Sequence, residues 1–126
     1  MIVVSAGIVS QNGKIMLCQR RPDRLLPLKW EFPGGKLEQG ETPQQALERE
    51  LREELAIETR TGRIFDVCYD NAPGKDVIVL FFRSELISGM PRTVDCNAVA
   101  WVEPSRLLEY DLAPADVEVA RRLSEE

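Results

Sequence analysis

The segment from Thr42 to Ile57 constrains the fold of this chain more than any other, because it specifies both a helix and the face that this helix buries. Leu47, Leu51 and Leu55 recur at positions i, i+4 and i+8, which places them in one apolar stripe along a helix. A stripe of this kind packs against a hydrophobic core. The spacing therefore predicts a helix that lies with its leucines facing inward.

Capping residues set the ends of the predicted helix. Thr42 is a suitable N-cap, Pro43 occupies the first helical position, and Gln45 can close a capping box with Thr42. The helix is therefore expected to run over about residues 43–56. A glycine turn at residues 34–35 is expected in front of it.

Three carboxylates share one face of this helix. Glu50, Glu53 and Glu54 stand at i, i+3 and i+4, and their face is centred about 100° from the leucine stripe. The acids therefore lie at the rim of the packing surface, where a cleft raises their repulsion to several kcal/mol at roughly 4 Å. A divalent cation removes that repulsion, and such oxygen ligands suit Mg²⁺ or Mn²⁺. The alternative interpretation is a solvated acidic face.

The wider pattern around these acids resembles the signature of the Nudix hydrolases, in which glycine, glutamate, arginine and paired glutamates recur at fixed spacing. The matching residues are Gly35, Glu41, Arg49, Glu50, Leu51, Glu53, Glu54 and Ile57. One position departs from the signature, since Ala56 stands where the family has glycine. Glycine there serves a helix end that often needs φ > 0, so alanine implies either a different exit from the helix or strain.

The resemblance implies a fold, an activity and roles for several residues. The implied fold is the Nudix α/β/α sandwich, a mixed β-sheet between helices, with residues 1–126 as a single domain. The implied activity is hydrolysis of nucleoside diphosphates linked to another moiety, with Mg²⁺ as the cofactor and Mn²⁺ as an alternative. The implied metal ligands are the carbonyl of Gly34 and the carboxylates of Glu50, Glu53 and Glu54, and the implied structural brace is the pair Glu41 and Arg49.

Residues outside the signature look like those of the MutT-type nucleoside triphosphate pyrophosphohydrolases, especially the branch that acts on CTP and modified pyrimidine nucleotides. They are Trp30–Lys36 before the signature, Asp95 six residues ahead of Trp101, and Leu112–Asp116 at the last helix. The likeness implies that Asp95 binds metal or activates water. The alternative for Asp95 is an ordinary acid in a loop.

The same likeness implies four substrate contacts, each with a structural alternative. Phe32 would stack on the base, although core packing explains a single aromatic residue equally well. Asp116 would read the base, and an ionised carboxylate, which only accepts hydrogen bonds, favours cytosine or guanine over uracil or thymine. Its alternative is favourable negative charge in the first turn of a helix. Arg20 and Lys75 would contact the substrate, or else serve as plain surface charges.

Composition excludes several other classes of enzyme. The 126 residues contain no histidine, so His-dependent triads, histidine bases and His-ligated metals are ruled out, and acid–base chemistry falls to carboxylates. The formal net charge of −5 argues against a nucleic-acid partner. Cys18, Cys68 and Cys96 form neither a disulfide framework nor a zinc pattern, so buried small hydrophobes are their expected role.

Strand patterns complete the expected α/β order. An Asn12-Gly13 hairpin turn is expected between the first two strands. The β-rich runs cover residues 2–9, 14–19, 59–70, 76–86 and 97–102.

The C-terminal part of the chain is expected to be helical. A short helix is expected at Pro104–Tyr110, and a terminal helix at Pro114–Leu123 with Val117, Ala120 and Leu123 facing inward. At the other end, the apolar first ten residues are too short for a membrane span and lack a basic leader. A cytoplasmic protein without a membrane partner is therefore expected.

These observations lead to one functional hypothesis. A (deoxy)nucleoside triphosphate, of the CTP/dCTP or the oxidised 8-oxo-dGTP type, would be cleaved to a monophosphate and pyrophosphate by metal-activated water. Glu53, Glu50 and Asp95 would be the catalytic acids, and the physiological task would be nucleotide pool sanitation or control of the cytidine pool. Base preference, metal count, the phosphorus attacked and the oligomeric state stay open, with a monomer as the working assumption.

Three alternatives accompany this hypothesis. The substrate could instead be ADP-ribose or a dinucleoside polyphosphate, for which Pro73 in a turn gives slight support. The chain could be a non-catalytic nucleotide-binding module, although such modules usually lack one of the helix carboxylates. A purely structural acidic helix is the third alternative.

Overall fold

The computed structural model describes all of residues 1–126. Seven strands form one sheet between two sets of helices. The strands are β1 (Ile2–Gln11), β2 (Lys14–Gln19), β3 (Trp30–Glu31), β4 (Gly34–Lys36), β5 (Glu58–Asp70), β6 (Val77–Ser88) and β7 (Ala98–Val102). The α-helices are α1 (Pro43–Leu55) and α2 (Val117–Ser124), and two 3₁₀-helices span Pro104–Glu109 and Pro114–Asp116.

The strand β1 lies at the centre of the sheet and makes the sheet mixed. It runs parallel to β6 over most of its length, while β4 pairs with it in the antiparallel sense. The strand β2 leaves β1 after the hairpin and pairs antiparallel with β3 and β7. The segment Trp30–Lys36 therefore bridges the two halves of the sheet, because its first part pairs with β2 and its last part with β1.

Each face of the sheet carries its own hydrophobic core. The core on one face includes Leu107, Val119, Ala120 and Leu123 from the C-terminal helices, and the core on the other includes Leu47, Leu51 and Leu55 of α1. The three leucines of α1 are at most 1% exposed, which confirms the predicted stripe. The result is the α/β/α sandwich with a mixed sheet that the sequence predicts. Neither α-helix combines the length and apolar character that crossing a bilayer requires.

The local signals for the hairpin and for the start of α1 are confirmed. Asn12 and Gly13 adopt φ values of 53° and 79° in the turn between β1 and β2. At the helix start, the Thr42 hydroxyl accepts a hydrogen bond from the Gln45 N–H at 3.1 Å, and Gln45 Oε1 accepts one from the Thr42 N–H at 2.9 Å. This reciprocal pair is the predicted capping box, and Pro43 follows it as the first helical residue.

The prediction of a glycine turn at residues 34–35 is wrong, because Gly34 and Gly35 belong to the strand β4. A Cβ on Gly34 would lie 1.9 Å from the carbonyl oxygen of Ser5, and one on Gly35 would lie 2.4 Å from the carboxyl carbon of Glu50. Close packing therefore explains both glycines. The turn before α1 uses Gly40, whose φ is 86°.

The inward face of the last helix differs from the predicted one. Val117 is 43% exposed, whereas Val119 is 1% exposed; Ala120 and Leu123 are buried as predicted. The reason is that Pro114–Asp116 forms a 3₁₀ turn, so that the α-helix begins only at Val117. Because a 3₁₀ turn winds faster than an α-turn, residues after it face differently from those of a continuous α-helix.

The end of α1 keeps the backbone geometry of glycine while carrying alanine. Ala56 adopts φ 58° and ψ 38°, and its N–H donates to the carbonyl oxygen of Arg52 at 3.1 Å. Of the two outcomes that the sequence allows, strain is therefore the one observed. A left-handed conformation costs a residue with a side chain about 1–2 kcal/mol.

Ala56→Gly should raise the free energy of unfolding by about 0.5–1 kcal/mol, because it removes the left-handed penalty but adds freedom to the unfolded chain. Urea titration of both proteins measures the difference. Ala46→Gly, inside the same helix, is the matched control and should lower the free energy of unfolding by about 1 kcal/mol or more. A loss of stability on Ala56→Gly would contradict the strain.

Candidate active site

Two of the three candidate metal-binding acids on α1, Glu50 and Glu54, face each other beside β4. Burial, a side-chain hydrogen bond with Glu50 and the charges of Glu50, Asp95 and Glu31 raise the pKa of Glu54 to about 9. Two carboxyl groups can share a hydrogen bond only if one of them keeps a proton. Glu54 therefore keeps its proton at neutral pH in the free protein, which relieves its repulsion with the neighbouring acid.

The third acid, Glu53, lies apart from this pair. Its side chain is 60% exposed, and its Oε2 accepts a hydrogen bond from Nη1 of Arg49 at 3.1 Å. The same Nη1 donates to Oε1 of Glu50 at 3.0 Å. No three acidic or cysteine side chains lie close enough together to hold a metal ion in this arrangement. The structure thus brings together Glu50 and Glu54 of the expected ligand set and leaves Glu53 with the arginine.

Arg49 and Glu41 join the loop after β4 to the helix α1. The guanidinium of Arg49 donates from Nε and Nη2 to the two carboxylate oxygens of Glu41, at 2.6 and 3.0 Å. Its Nη2 also donates to the carbonyl oxygen of Lys36 at 3.0 Å. Glu41 in turn accepts from the N–H of Glu38 at 2.8 Å. These bonds hold the loop against the helix, so that the backbone of β4 stays in contact with Glu50.

The donor set at this position fits a hard divalent cation. The proton held by Glu54 marks an excess of negative charge that a cation could also neutralise. Gly34 lies beside Glu54 in the walls of two adjoining cavities, and glycine at position 35 leaves the room that the Glu50 carboxyl occupies. Carboxylate and carbonyl oxygens suit Mg²⁺ and Mn²⁺ better than they suit thiophilic metals.

The larger of these cavities has a volume of about 570 Å³, within the range of small-molecule sites. It lies between β4, α1 and the segment that leads into α2. The candidate metal ligands in its wall are Gly34, Glu50 and Glu54, and the candidate substrate residues in its wall are Arg20, Phe32, Lys75 and Asp116. The fold therefore brings all four candidate substrate residues to the same cavity as two of the helix acids.

Asp116 is the most deeply buried polar group of this cavity wall. It is 6% exposed, and its Oδ2 accepts a hydrogen bond from the N–H of Phe32 at 3.0 Å. Burial and the charge of Glu31 raise the pKa of Asp116 to about 8, against the opposite effects of the Phe32 N–H and of Arg20. The carboxyl is therefore neutral at pH 7 in the free protein. This corrects the sequence-based premise that Asp116 is ionised, because a neutral carboxyl also donates a hydrogen bond.

Phe32 serves the core as well as the cavity wall. It is 3% exposed, and its ring packs edge-on against that of Phe81 with 6.0 Å between the centroids. Core packing thus buries most of the Phe32 side chain. Core packing is the structural alternative to base stacking that the sequence left open. Its contact with a nucleotide base stays a prediction that rests on its place in the cavity wall.

The two candidate basic residues of the cavity wall, Arg20 and Lys75, are paired with acids. Nη1 of Arg20 lies 3.1 Å from Oε1 of Glu31, and Nζ of Lys75 lies 3.3 Å from Oδ2 of Asp70. Burial raises the pKa of Glu31, and the neighbouring Arg20 opposes that rise. Sequence reasoning missed Glu31, although an acid between Trp30 and Phe32, in an otherwise apolar stretch, was an available signal.

Asp95 lines a smaller cavity of about 120 Å³ that adjoins the first and shares Glu54 and Gly34 with it. Its Oδ1 accepts a hydrogen bond from Nη2 of Arg24 at 2.9 Å and lies 3.6 Å from Nη1 of Arg21. Sequence reasoning did not single out either arginine. No local spacing could pair them with Asp95, because Arg24 and Asp95 are 71 positions apart.

Comparison with known proteins agrees with this geometry. The family described as NUDIX domain matches residues 1–123. The chain is 38% identical to the CTP pyrophosphohydrolase of Escherichia coli (strain K12) over 117 residues, which is 93% of this chain and 87% of that protein. It is 32% identical to the 8-oxo-dGTP diphosphatase of the same strain over 121 residues, which is 95% of this chain and 94% of that protein.

One solved structure resembles this chain in both its fold and its sequence. The solution structure of the E. coli ORF135 protein matches with a TM-score of 0.80 and 36% identity, and the match covers 96% of this chain and 86% of that one. The signature residues on α1, the α/β/α sandwich and these relatives all point to one family. The chain belongs to the Nudix hydrolases.

Proposed function

We propose that this protein is an Mg²⁺-dependent pyrophosphohydrolase that converts nucleoside triphosphates to monophosphates and pyrophosphate. The observation that carries the proposal is the single cavity of about 570 Å³, which joins Glu50 and Glu54 to Arg20, Lys75 and Asp116. A nucleotide needs a cation site for its phosphates, positive side chains along them and a hydrogen-bonding group for its base. The cavity offers residues of all three kinds.

The residues of α1 and β4 supply the proposed hydrolytic centre. Glu50, Glu54 and the carbonyl of Gly34 would hold Mg²⁺, and Mn²⁺ is the alternative ion. When bound, such a cation polarises phosphoryl oxygens and makes a coordinated water more acidic. The exposed carboxylate of Glu53 would accept the proton of the attacking water at Oε2 once Arg49 releases it. Asp95 would supply a further acid from the adjoining cavity.

The base end of the proposed site depends on the protonation of Asp116. A neutral carboxyl offers one O–H donor and a carbonyl acceptor, which complement N3 and the exocyclic amine of cytosine. They equally complement O6 and the N7–H of 8-oxoguanine, whereas ordinary guanine has an acceptor at N7. The neutral form also fits uracil and thymine, so the expected discrimination against these two bases is lost below about pH 8.

The named relatives narrow the substrate class within this chemistry. One relative that is 38% identical is a CTP pyrophosphohydrolase, and another that is 32% identical is an 8-oxo-dGTP diphosphatase. We therefore propose CTP or dCTP, or oxidised guanine nucleotides, as the preferred substrates, with nucleotide pool sanitation as the corresponding task. An ADP-ribose pyrophosphatase with 19% identity shares the fold alone and gives no support for ADP-ribose.

A substrate panel tests the proposed function. With Mg²⁺, the protein should release pyrophosphate from CTP, dCTP or 8-oxo-dGTP with a kcat/KM at least about tenfold above that for AMP release from ADP-ribose. Including UTP and dGTP in the panel tests how Asp116 discriminates between bases. Removal of the metal with EDTA should abolish turnover. Binding of Mg-nucleotide without hydrolysis would contradict the proposal in favour of a non-catalytic module. A preference for ADP-ribose would contradict the substrate class.

Glu53→Gln should lower kcat by about 100-fold or more while leaving the fold intact, because the amide cannot accept the water proton. Steady-state kinetics measures the effect, and circular dichroism checks the fold. Glu58→Gln is the matched control, since Glu58 pairs with Arg52 away from the cavity and its side chain is 50% exposed. A folded Glu53→Gln protein that turns over at the full rate would exclude this role.

Asp116→Asn should change how stability depends on pH. The Asp116 carboxyl releases its proton near its ordinary pKa of 3.8 when the chain is unfolded and near 8 when it is folded. Between these values unfolding releases a proton, so the stability of the wild type falls as pH rises, by at most about 1.4 kcal/mol per pH unit relative to Asp116→Asn. Asn keeps an acceptor for the Phe32 N–H.

Urea titrations of wild type and Asp116→Asn at pH 5 and pH 8 measure this difference. The exposed Asp111, which pairs with Lys29, provides the control Asp111→Asn. A stability difference between wild type and Asp116→Asn that stays constant with pH would show that the buried carboxyl does not hold its proton.

A further inference from the structure

Two of the three cysteines meet in the wall of the smaller cavity, although they are far apart in the sequence. Cys18 lies on β2, and Cys96 lies in the segment before β7, the strand that pairs with β2. The N–H of Asn97, next to Cys96, donates to the carbonyl oxygen of Gln19, next to Cys18, at 2.8 Å. Cys96 packs against the core cluster that contains Cys18. The fold therefore brings two free thiols to the wall of the same cavity.

The two thiols differ in their access to solvent. Cys18 is 4% exposed, whereas Cys96 is only half-buried, and its thiol lies 3.6 Å from the carbonyl oxygen of Ala98. Both side chains line the cavity of about 120 Å³ that also contains Asp95. Cys96 is therefore the more accessible of the two thiols to a small reagent, and Cys18 lines the same cavity.

We propose that Cys18 and Cys96 form an oxidation site for hydroperoxides and close to an intramolecular disulfide. In the first step the Cys96 sulfur attacks the peroxide oxygen, which gives a sulfenic acid and releases water or an alcohol. In the second step the Cys18 sulfur attacks the Cys96 sulfur, a sulfur–sulfur bond forms, and the sulfenic hydroxyl leaves as water. The two thiols lose two electrons and two protons in total, and the peroxide is the oxidant that takes up both electrons.

The third cysteine provides an internal reference for this chemistry. Cys68 lies on β5 and packs against the core on the opposite face of the sheet from Cys18. The hydrophobic sheet therefore separates it from both partners. Oxidation at the proposed site should leave Cys68 as a thiol, so that one of the three cysteines stays free.

The disulfide would also affect the proposed hydrolysis, and this part of the inference rests on the proposed function. Cys96 directly follows Asp95 in the chain, so a bond to β2 fixes the position of the segment that carries this acid. Small displacements of catalytic groups cost large factors in rate. The oxidised protein should therefore hydrolyse nucleotides about tenfold or more slowly, and dithiothreitol should restore the rate.

Peroxide titration of the full-length protein tests the site without reference to any substrate. Intact-mass analysis should show the loss of two hydrogen atoms, and peptide mapping should find Cys18 linked to Cys96 while Cys68 remains alkylatable. Cys96→Ser should form no linkage after peroxide treatment. Its mass should either stay unchanged or rise by the addition of oxygen. Cys68→Ser is the matched control and should form the disulfide as the wild type does.

The possible outcomes distinguish failure of the proposed oxidation site from failure of the proposed hydrolytic function. A disulfide that includes Cys68, or stepwise addition of oxygen at Cys96 with no linkage to Cys18, would overturn the proposed site whatever the enzyme hydrolyses. Formation of the Cys18–Cys96 disulfide without a change in the rate of hydrolysis would overturn only the proposed effect of the disulfide on catalysis. Cys18→Ala, checked for folding by thermal denaturation, should also lose the linkage, and Cys96→Ser decides the question if that variant unfolds.

Discussion

The guanidinium of Arg49 lies among carboxylates and connects the parts of the protein that form the candidate site. It contacts carboxylate oxygens of four acids, Glu38, Glu41, Glu50 and Glu53, at distances between 2.6 and 3.3 Å. Two of these acids belong to the loop after β4 and two to α1. An arginine can satisfy such a set because its five donors are arranged in a fixed planar fork. Lysine, a single point charge, could not hold loop and helix in the same register.

The position of the acids follows from the leucines on the neighbouring side of α1. Because Leu47, Leu51 and Leu55 are buried against the sheet, the face centred on Glu50 and Glu54 must lie at the edge of the core. Partial burial then makes two adjacent negative charges unfavourable, and the high pKa of Glu54, about 9, is the consequence. The hydrophobic packing of the helix thus creates the electrostatic property that suits a cation.

The sequence predicts those features that depend on local chemistry. The capping box, the leucine stripe and the hairpin turn each involve residues within a few positions of one another, and all three are as expected. The errors arise where distant segments meet. Gly34 is required by the carbonyl of Ser5 on a neighbouring strand, and Val117 faces outward because a 3₁₀ turn changes the register of the last helix. Likewise, the neutral state of Asp116 depends on burial, which no local pattern reveals.

The two acids that lie outside the Glu50–Glu54 pair have arginine partners, and this bears on what the cavity can bind. Glu53 is held by Arg49, and Asp95 is held by Arg24. A cation alone would draw the two carboxylates away from these arginines, and a bare polyphosphate would attract the arginines but repel the carboxylates. A cation–polyphosphate complex offers partners to both halves of each ion pair. Under the proposed function, this charge arrangement would favour the metal complex of a nucleotide over either component alone, and an acidic protein could in this way bind an anionic substrate.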